Sequence, residues 1–404
     1  MASGNTVGDH IKDLRKTRRM SQKQLADAAN ISESYLKKFE SGDRVPAQHH
    51  VIAIARALRV GTDRITGQPY YNGAEREEMV QAWIPDLRRV LWTYDNPDDL
   101  DAAPRPLPVL LSEAETVSKL RQDGQYVKYA PLLPQLLTEL SHFALAAPEG
   151  EEREKAFWWL ARGYRAANSL AHKLGHQDLS MTAIERVRWA ATQSGDPYMD
   201  VVAGYLFLGA LMRQGLWGPA NNLMIRLETQ TRSITDRWDN DSRGLLGAIV
   251  LKRAAAEARR GRIDATIRAL EEAEEIAAQC GNVDLLTYET AFGPSNIKIH
   301  EVHAMLDLSD PASAVRVSDS FSPPETLPGE RRSHHFIDLA AAQTQVNDRT
   351  GALISLKKSA EIAPAHTRFH PTARSTASVL ARAERGEHGP AAEFARWMTG
   401  TVAT

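Results

Sequence analysis

The feature that most constrains this 404-residue chain is a turn-and-helix pattern that recurs six times beyond residue 109. A small or turn residue closes one helix, and inward-facing residues of a second helix follow at a spacing of three to four. The anchors are Gly124 (then Tyr129, Leu133, Leu136), Gly175 (Ser180, Ile184, Val187) and Gly215 (Ala220, Met224, Leu227). They continue at Gly261 (Thr266, Leu270, Ala273), Ser309 (Ala314, Ser318) and Asn347 (Ala352, Leu356, Ser359). Self-similarity at roughly 40–50 residues marks stacked helix pairs, because one pair cannot bury its apolar face alone. No run of alternating β-branched residues interrupts the pattern, so an all-α chain ending in an α-solenoid is expected.

Composition fits that reading. Hydrophobic residues make up 43% and charged residues 25%, which is too apolar for a disordered chain. The single cysteine, Cys280, excludes an internal disulfide framework and a zinc site built on several thiolates. The start, MASGNTVGDHIKDLRK, has no apolar stretch before a cleavage site, and no segment reaches the ~18 apolar residues of a membrane helix. A cytoplasmic protein without membrane contact is expected. Residues 1–72 hold 12 Lys/Arg against 7 Asp/Glu, whereas the other 332 residues hold 37 against 44. A basic block on an acidic body suits a nucleic-acid reader on an unrelated scaffold.

The basic block reads as five short helices. Val7, Ile11 and Leu14 form one apolar stripe in a helix over Val7–Arg19. Ser21 and Gln24 make a capping box for a second helix carrying Leu25, Ala28 and Ala29, and Asn30 tolerates the sharp turn after it. Ser32 caps a third helix, ESYLKKFES, which Gly42 stops. Pro46 precedes a fourth helix, and TDRI closes the unit. Two short helices joined by a tight turn form a helix-turn-helix.

The run from Ser21 to Gly67 resembles the XRE, or lambdoid repressor-like, helix-turn-helix family. Its hallmarks are the Ser21–Gln22 start, the Leu25–Ala26 pair, Glu40 with Gly42, and Pro46. The resemblance implies that the third helix enters the major groove of double-stranded DNA. Glu33, Ser34 and Lys38 then fall at base-reading positions with Ser32 and Lys37 beside them, while Gln22, Ser41 and Arg44 grip phosphate. Lys38 can donate to guanine and Glu33 can accept from cytosine. Tyr35 is expected to meet sugar or a thymine methyl. It further implies a homodimer, since two half-sites raise specificity.

Beyond Gly67 a polar joint, QPYYNG, leads to a helical linker over residues 74–94, whose Trp83 and Trp92 are expected to pack on something large. The proline-rich stretch Asp95–Pro108 reads as a loop. The expected domains are therefore 1–72 (reader), 73–108 (linker and loop) and 109–404 (solenoid). GRIDATIRALEEAEEIA and GALISLKKSAEIAP resemble second helices of tetratricopeptide repeats. Phe292–Val315 is similar to a stretch found in actinobacterial regulators that join such a body to an XRE head. The architecture is also similar to that of the quorum-sensing peptide receptors of Gram-positive bacteria.

No catalytic constellation is present. There is no phosphate loop, dinucleotide-binding turn or nucleophile elbow, so an enzyme and a cofactor are not expected. His300 and His303 stand at i, i+3 where a zincin needs i, i+4, and His49–His50 and His334–His335 are adjacent pairs that point apart, so no metal site is expected. Counting back from the anchors, Arg162, Arg165, Tyr205, Arg213, Asn296 and His303 face the concave side, with Ala248, Leu251, Ala255 and Ala258 as an apolar floor. Such a groove suits a peptide or a small amphiphile with a carbonyl or anionic end. The expected function is a dimeric, signal-responsive DNA-binding regulator. The alternative is a scaffold whose solenoid binds a partner protein.

Overall fold

A computed structural model describes residues 6–70, 79–96, 103–234, 239–384 and 389–400. The head begins with α1 (Val7–Thr17), where the Thr6 hydroxyl accepts from the Asp9 amide and Asp9 returns to the Thr6 amide. The same reciprocal box, Ser21 with Gln24, starts α2 (Gln22–Ala29), and Asn30 ends it with φ of 52°. Ser32 caps α3 (Glu33–Ser41), and Gly42 stops it with φ of 73°. Each box satisfies backbone donors that a helix start leaves orphaned, so these ends are fixed locally. With α4 (Gln48–Leu58) and α5 (Thr62–Thr66) they close a five-helix unit. Its core is Ile11, Leu25, Leu36, Phe39, Ile54, Leu58 and Ile65, each at most 1% exposed. The first helix ends at Thr17, two residues short of the expected Arg19.

The joint and the linker lie partly on residues 71–78, and the proline-rich loop partly on 97–102, outside the described residues. The linker's described helix is α6 (Ile84–Trp92), which buries Ile84, Leu87, Val90 and Leu91 in the first core of the body. Trp83 packs there as expected, but Trp92 is 65% exposed, because it stands on the opposite face of that stripe.

The body is a succession of helix pairs. They are α7 (Leu107–Gln122) with the short α8 (Tyr126–Tyr129) and α9 (Leu133–Ala146), then α10 (Glu151–Leu174) with α11 (Gln177–Gln193). Next come α12 (Pro197–Arg213) with α13 (Trp217–Ser233), and α14 (Asn240–Arg259) with α15 (Ile263–Gln279). The series ends with α16 (Pro294–Asp307) and α17 (Pro311–Asp319), α18 (Gly329–Gln345) and α19 (Arg349–Ile362), then α20 (Pro364–Phe369), α21 (Pro371–Ala383) and α22 (Pro390–Thr399).

Every anchor sits in the turn between the two helices of a pair, in the left-handed region: Gly124, Gly175, Gly215, Gly261, Ser309 and Asn347 have φ between 63° and 92°. A left-handed residue reverses the chain in the fewest steps, which is why Gly or Asn recurs there. The inward residues assigned to each second helix, from Tyr129 to Ser359, are buried. The fold is all-α, with one isolated β-bridge, Leu285 to Phe292, among the described residues. Among those residues no helix is long and apolar enough to cross a membrane.

The head rests on the body. Arg56 of α4 donates to the Gly215 carbonyl (2.7 Å), Arg44 to Gln345 Oε1 (2.8 Å) and Gln68 to the Lys173 carbonyl (3.2 Å). Arg382 of α21 donates to the Ser41 carbonyl (2.9 Å).

Candidate functional site

The outer face of the head is built on α3. Ser34, Lys37, Lys38 and Ser41 are exposed on it, and Ser32 is committed to its cap. Glu33 pairs with Lys37 one turn on (2.9 Å), a hydrogen bond that holds its carboxyl below the usual range. Behind α3, Glu40 takes two hydrogen bonds from Arg15 (2.6 and 2.8 Å) and one from Gln22 (2.8 Å). Burial alone would raise the Glu40 carboxyl, yet these donors outweigh it and hold it low. Gln22, at the start of α2, is thereby fixed against α3.

Two expectations change here. Tyr35 does not stand out from the helix: its ring stacks on His50 at 5.9 Å, and the Arg44 guanidinium lies 4.4 Å over it. Arg44 turns toward Gln345 of the body, because the head's docking brings a side-chain amide within its reach.

The concave side of the body is filled by the chain itself. Between α15 and α16 the segment around Tyr288 and Glu289 enters the groove, and both residues have positive φ (48° and 58°). Arg121 Nη2 donates to Glu289 Oε2 (2.6 Å) and Arg162 Nε to Oε1 (2.5 Å), and the Ser118 hydroxyl also donates to this carboxylate. Arg165 donates to the Tyr288 and Glu289 carbonyls, and Asn296 to the Ala291 carbonyl (2.7 Å). Burial pushes the Glu289 carboxyl up, but three guanidiniums and a hydroxyl bring it well below the usual range. So Arg162, Arg165 and Asn296 do not line an open groove. Their polar heads hold this loop. Ala248, Leu251, Ala255 and Ala258 are buried in helix packing instead of forming a floor.

The remainder of the groove is open. A cavity of 230 Å³ lies between head and body, and Arg213, Arg259, His303, His334 and His370 are among its lining residues. His303 is bracketed by Asp338 (2.9 Å) and Asp307 (3.2 Å), and Arg259 donates to Asp307 (3.0 Å). Burial lowers the His303 imidazole, but the two carboxylates overcome it and raise it to about 10. Arg213 and Lys252 differ from all of these. Among the described residues neither has a carboxylate partner, and Arg213 Nε has no hydrogen-bond partner. Both heads lie within 3.4 Å of the point that a Cβ on Gly209 would occupy. Lys252 sits 4.4 Å over the Tyr205 ring. Burial first, and the neighbouring cations second, lower Arg213 to about 10 and Lys252 well below its ordinary value.

Sequence reasoning missed Glu289, Lys252 and a histidine group. Glu289 and its loop fall outside the repeat register, so nothing local marks them. The fold brings one ring nitrogen each of His334, His366 and His370 within 4.8 Å of one another, and does the same for ring nitrogens of His303 and His334 with a carboxylate oxygen of Asp338. Judging histidines by sequence neighbours overlooks groups assembled across helices, although His366 and His370 do stand at i, i+4.

The fold is a basic, capped helix-turn-helix carried on a helical-repeat body. The Helix-turn-helix family profile matches residues 11–65. The immunity repressor protein of Bacillus phage phi105 is 34% identical over 98 residues, covering 22% of this chain and 67% of that protein. The chain belongs to the helix-turn-helix regulators of the XRE type and is a repressor-like DNA-binding protein. The cryptic phage CTXphi transcriptional repressor RstR of Vibrio cholerae is 32% identical over 62 residues, 15% of this chain and 55% of the repressor. Among solved structures, that of Bacillus thuringiensis PlcR in complex with the peptide PapR7 and DNA aligns with a TM-score of 0.33 at 12% identity, covering 86% of this chain and 99% of that one. The PrgX/iCF10 complex aligns with a TM-score of 0.27 at 11% identity, covering 88% and 96%.

Proposed function

We propose that the chain is a signal-responsive transcriptional regulator that binds operator DNA as a homodimer. In this reading residues 1–72 are the reader, 73–108 the joint and 109–404 the sensor and dimerisation body. Glu33, Ser34 and Lys38 read base edges, flanked by Lys37, while Gln22 and Ser41 face phosphate. Arg44 joins the phosphate contacts once it leaves Gln345. One short recognition helix reads few base pairs, so two heads on symmetric half-sites supply specificity.

The signal binds in the cavity beneath the head, against Arg213 and His303, and carries an anionic group. The observation that carries this is a contrast within one groove: the arginines around Glu289 have a carboxylate, whereas Arg213 and Lys252 have none. A half-buried cation at a cavity wall without a counter-charge is a ready partner for an anionic group.

The test begins with genome-wide mapping of bound DNA to obtain the operator. Lys38→Ala is expected to lose about 1–3 kcal/mol on that site and to relax one base position. The double variant Arg213→Gln with Lys252→Met is expected to bind operator normally and to lose its release by extracts of the producing cell. If extract never alters binding by the wild type, or alters the variant equally, the sensor reading fails.

A further inference from the structure

The wall of the cavity carries a second, unassigned chemistry. His334 lies on α18, His366 on α20, and His370 joins α20 to α21. The His370 ring packs edge to face on both others, with centroids 5.1 Å from His334 and 5.4 Å from His366. Two of the nitrogens have nothing to bond: His366 Nε2 and His370 Nδ1 are buried without a hydrogen-bond partner. His366 is 1% exposed, so water is no ready substitute at that atom. Buried orphan nitrogens of this kind call for a bound species.

We infer that His334, His366 and His370 form a binding site for a zinc-type divalent ion, with the cavity supplying a fourth, open coordination position. Three imidazoles with one vacant site are a donor set that zinc accepts. Zinc–nitrogen bonds of about 2.0–2.1 Å place tetrahedral ligands roughly 3.4 Å apart. The nitrogens now stand within 4.8 Å, so modest side-chain rotations close the set. An outer partner is in place as well. The Tyr126 hydroxyl, fully buried, is hydrogen-bonded to His366 Nδ1 at 2.9 Å. A hydroxyl behind a ligating histidine fixes the ring's orientation.

Of the cations around the group, Lys173 is engaged by Glu330 at 2.7 Å, and His303 by Asp338 and Asp307 at 2.9 and 3.2 Å. The ion would tie α18 to the α20–α21 turn. The head touches that turn, since Gln68 donates to the Phe369 carbonyl beside His370.

The experiment uses the full chain, stripped with chelator, and zinc chloride alone as the probe. Calorimetry should give one equivalent bound, and cobalt should give the intense visible bands of tetrahedral coordination. His366→Gln and His370→Gln should each abolish measurable binding, and Tyr126→Phe should weaken it about tenfold. No uptake by the wild-type chain, or a cobalt spectrum of the pale octahedral kind, overturns the site without reference to any variant. Loss in His303→Gln with retention in His366→Gln also overturns it, because the ion then sits on the His303–His334–Asp338 group.

Discussion

The head and the body bury polar groups for different ends. Among the described residues of the head, the buried polar side chains are Glu40 and His50. Glu40 is fully engaged with Arg15 and Gln22 in a cluster that locks α1 and α2 onto α3. The body encloses arginines, aspartates and histidines from successive helix pairs along its concave side. Ion pairs are poor filler, since their desolvation often offsets their attraction. The difference teaches that the head's buried carboxylate braces its own helices, whereas the body turns charge inward, where Glu289 answers Arg121, Arg162 and Arg165.

The largest expected effect tests that matching. Glu289→Ala leaves Arg121, Arg162 and Arg165 facing one another with the carboxylate gone, a loss of about 3–5 kcal/mol from the body. Thermal unfolding of the full chain, followed separately in the two regions, should show the body melting earlier while the head's own transition is unaffected. The pH dependence is set by the same group. Its folded pKa is depressed, so its stabilisation is fully present above the ordinary carboxylate value of about 4.3 and fades as pH falls below it. A variant as stable as wild type at pH 7 would show that the loop is ornamental to the body.

How much of this was legible in the sequence divides along the same line. The head's ends are set by neighbours: Ser21 with Gln24, Ser32 before Tyr35, Asn30 and Gly42 as left-handed stops. Those are contacts within three residues, and they read directly. The anchors of the body read for the same reason, because each helix pair needs one left-handed residue to reverse. The filling of the groove does not read. Arg162 meets Glu289 across 127 positions, and Tyr126 meets His366 across 240. Register showed that the guanidiniums of Arg162 and Arg165 face inward, and it was silent on what they hold.

A second comparison sets two glycines against each other. A Cβ on Gly8 of α1 would stand 2.2 Å from the Phe39 carbonyl oxygen, and one on Gly247 of α14 would stand 2.1 Å from the Phe292 ring. The first obstacle is backbone of α3 and has nowhere to go. The second is a side chain on the loop that carries Glu289. Overpacking costs about 1–3 kcal/mol. Gly8→Ala should therefore fall at or above the top of that range, read from unfolding of the head. Gly247→Ala should fall lower and show itself as faster hydrogen exchange at the Leu285–Phe292 bridge. Equal costs would mean that the loop is as fixed as the head's own core.

The smallest effect belongs to the seam between the two regions. Arg56 makes one hydrogen bond across it, to the Gly215 carbonyl at the tip of the α12–α13 turn. That carbonyl belongs to a left-handed glycine whose missing Cβ leaves room for Ile52 and the Arg56 guanidinium to approach. Removing the donor with Arg56→Ala should cost about 1 kcal/mol of docking, since Gly215 can turn to water once the arginine is gone. Neither region depends on this bond for its own core, so both should melt as in the wild type. What should change is the opening of the seam. Amide exchange in the turn at Gly215 and Leu216 should quicken about fivefold, the factor that 1 kcal/mol sets for local opening. If exchange there is unchanged, Gln68 and Arg44 suffice to hold the head. If the head's own helices exchange faster as well, the reader is not self-contained, and its contrast with the body fails.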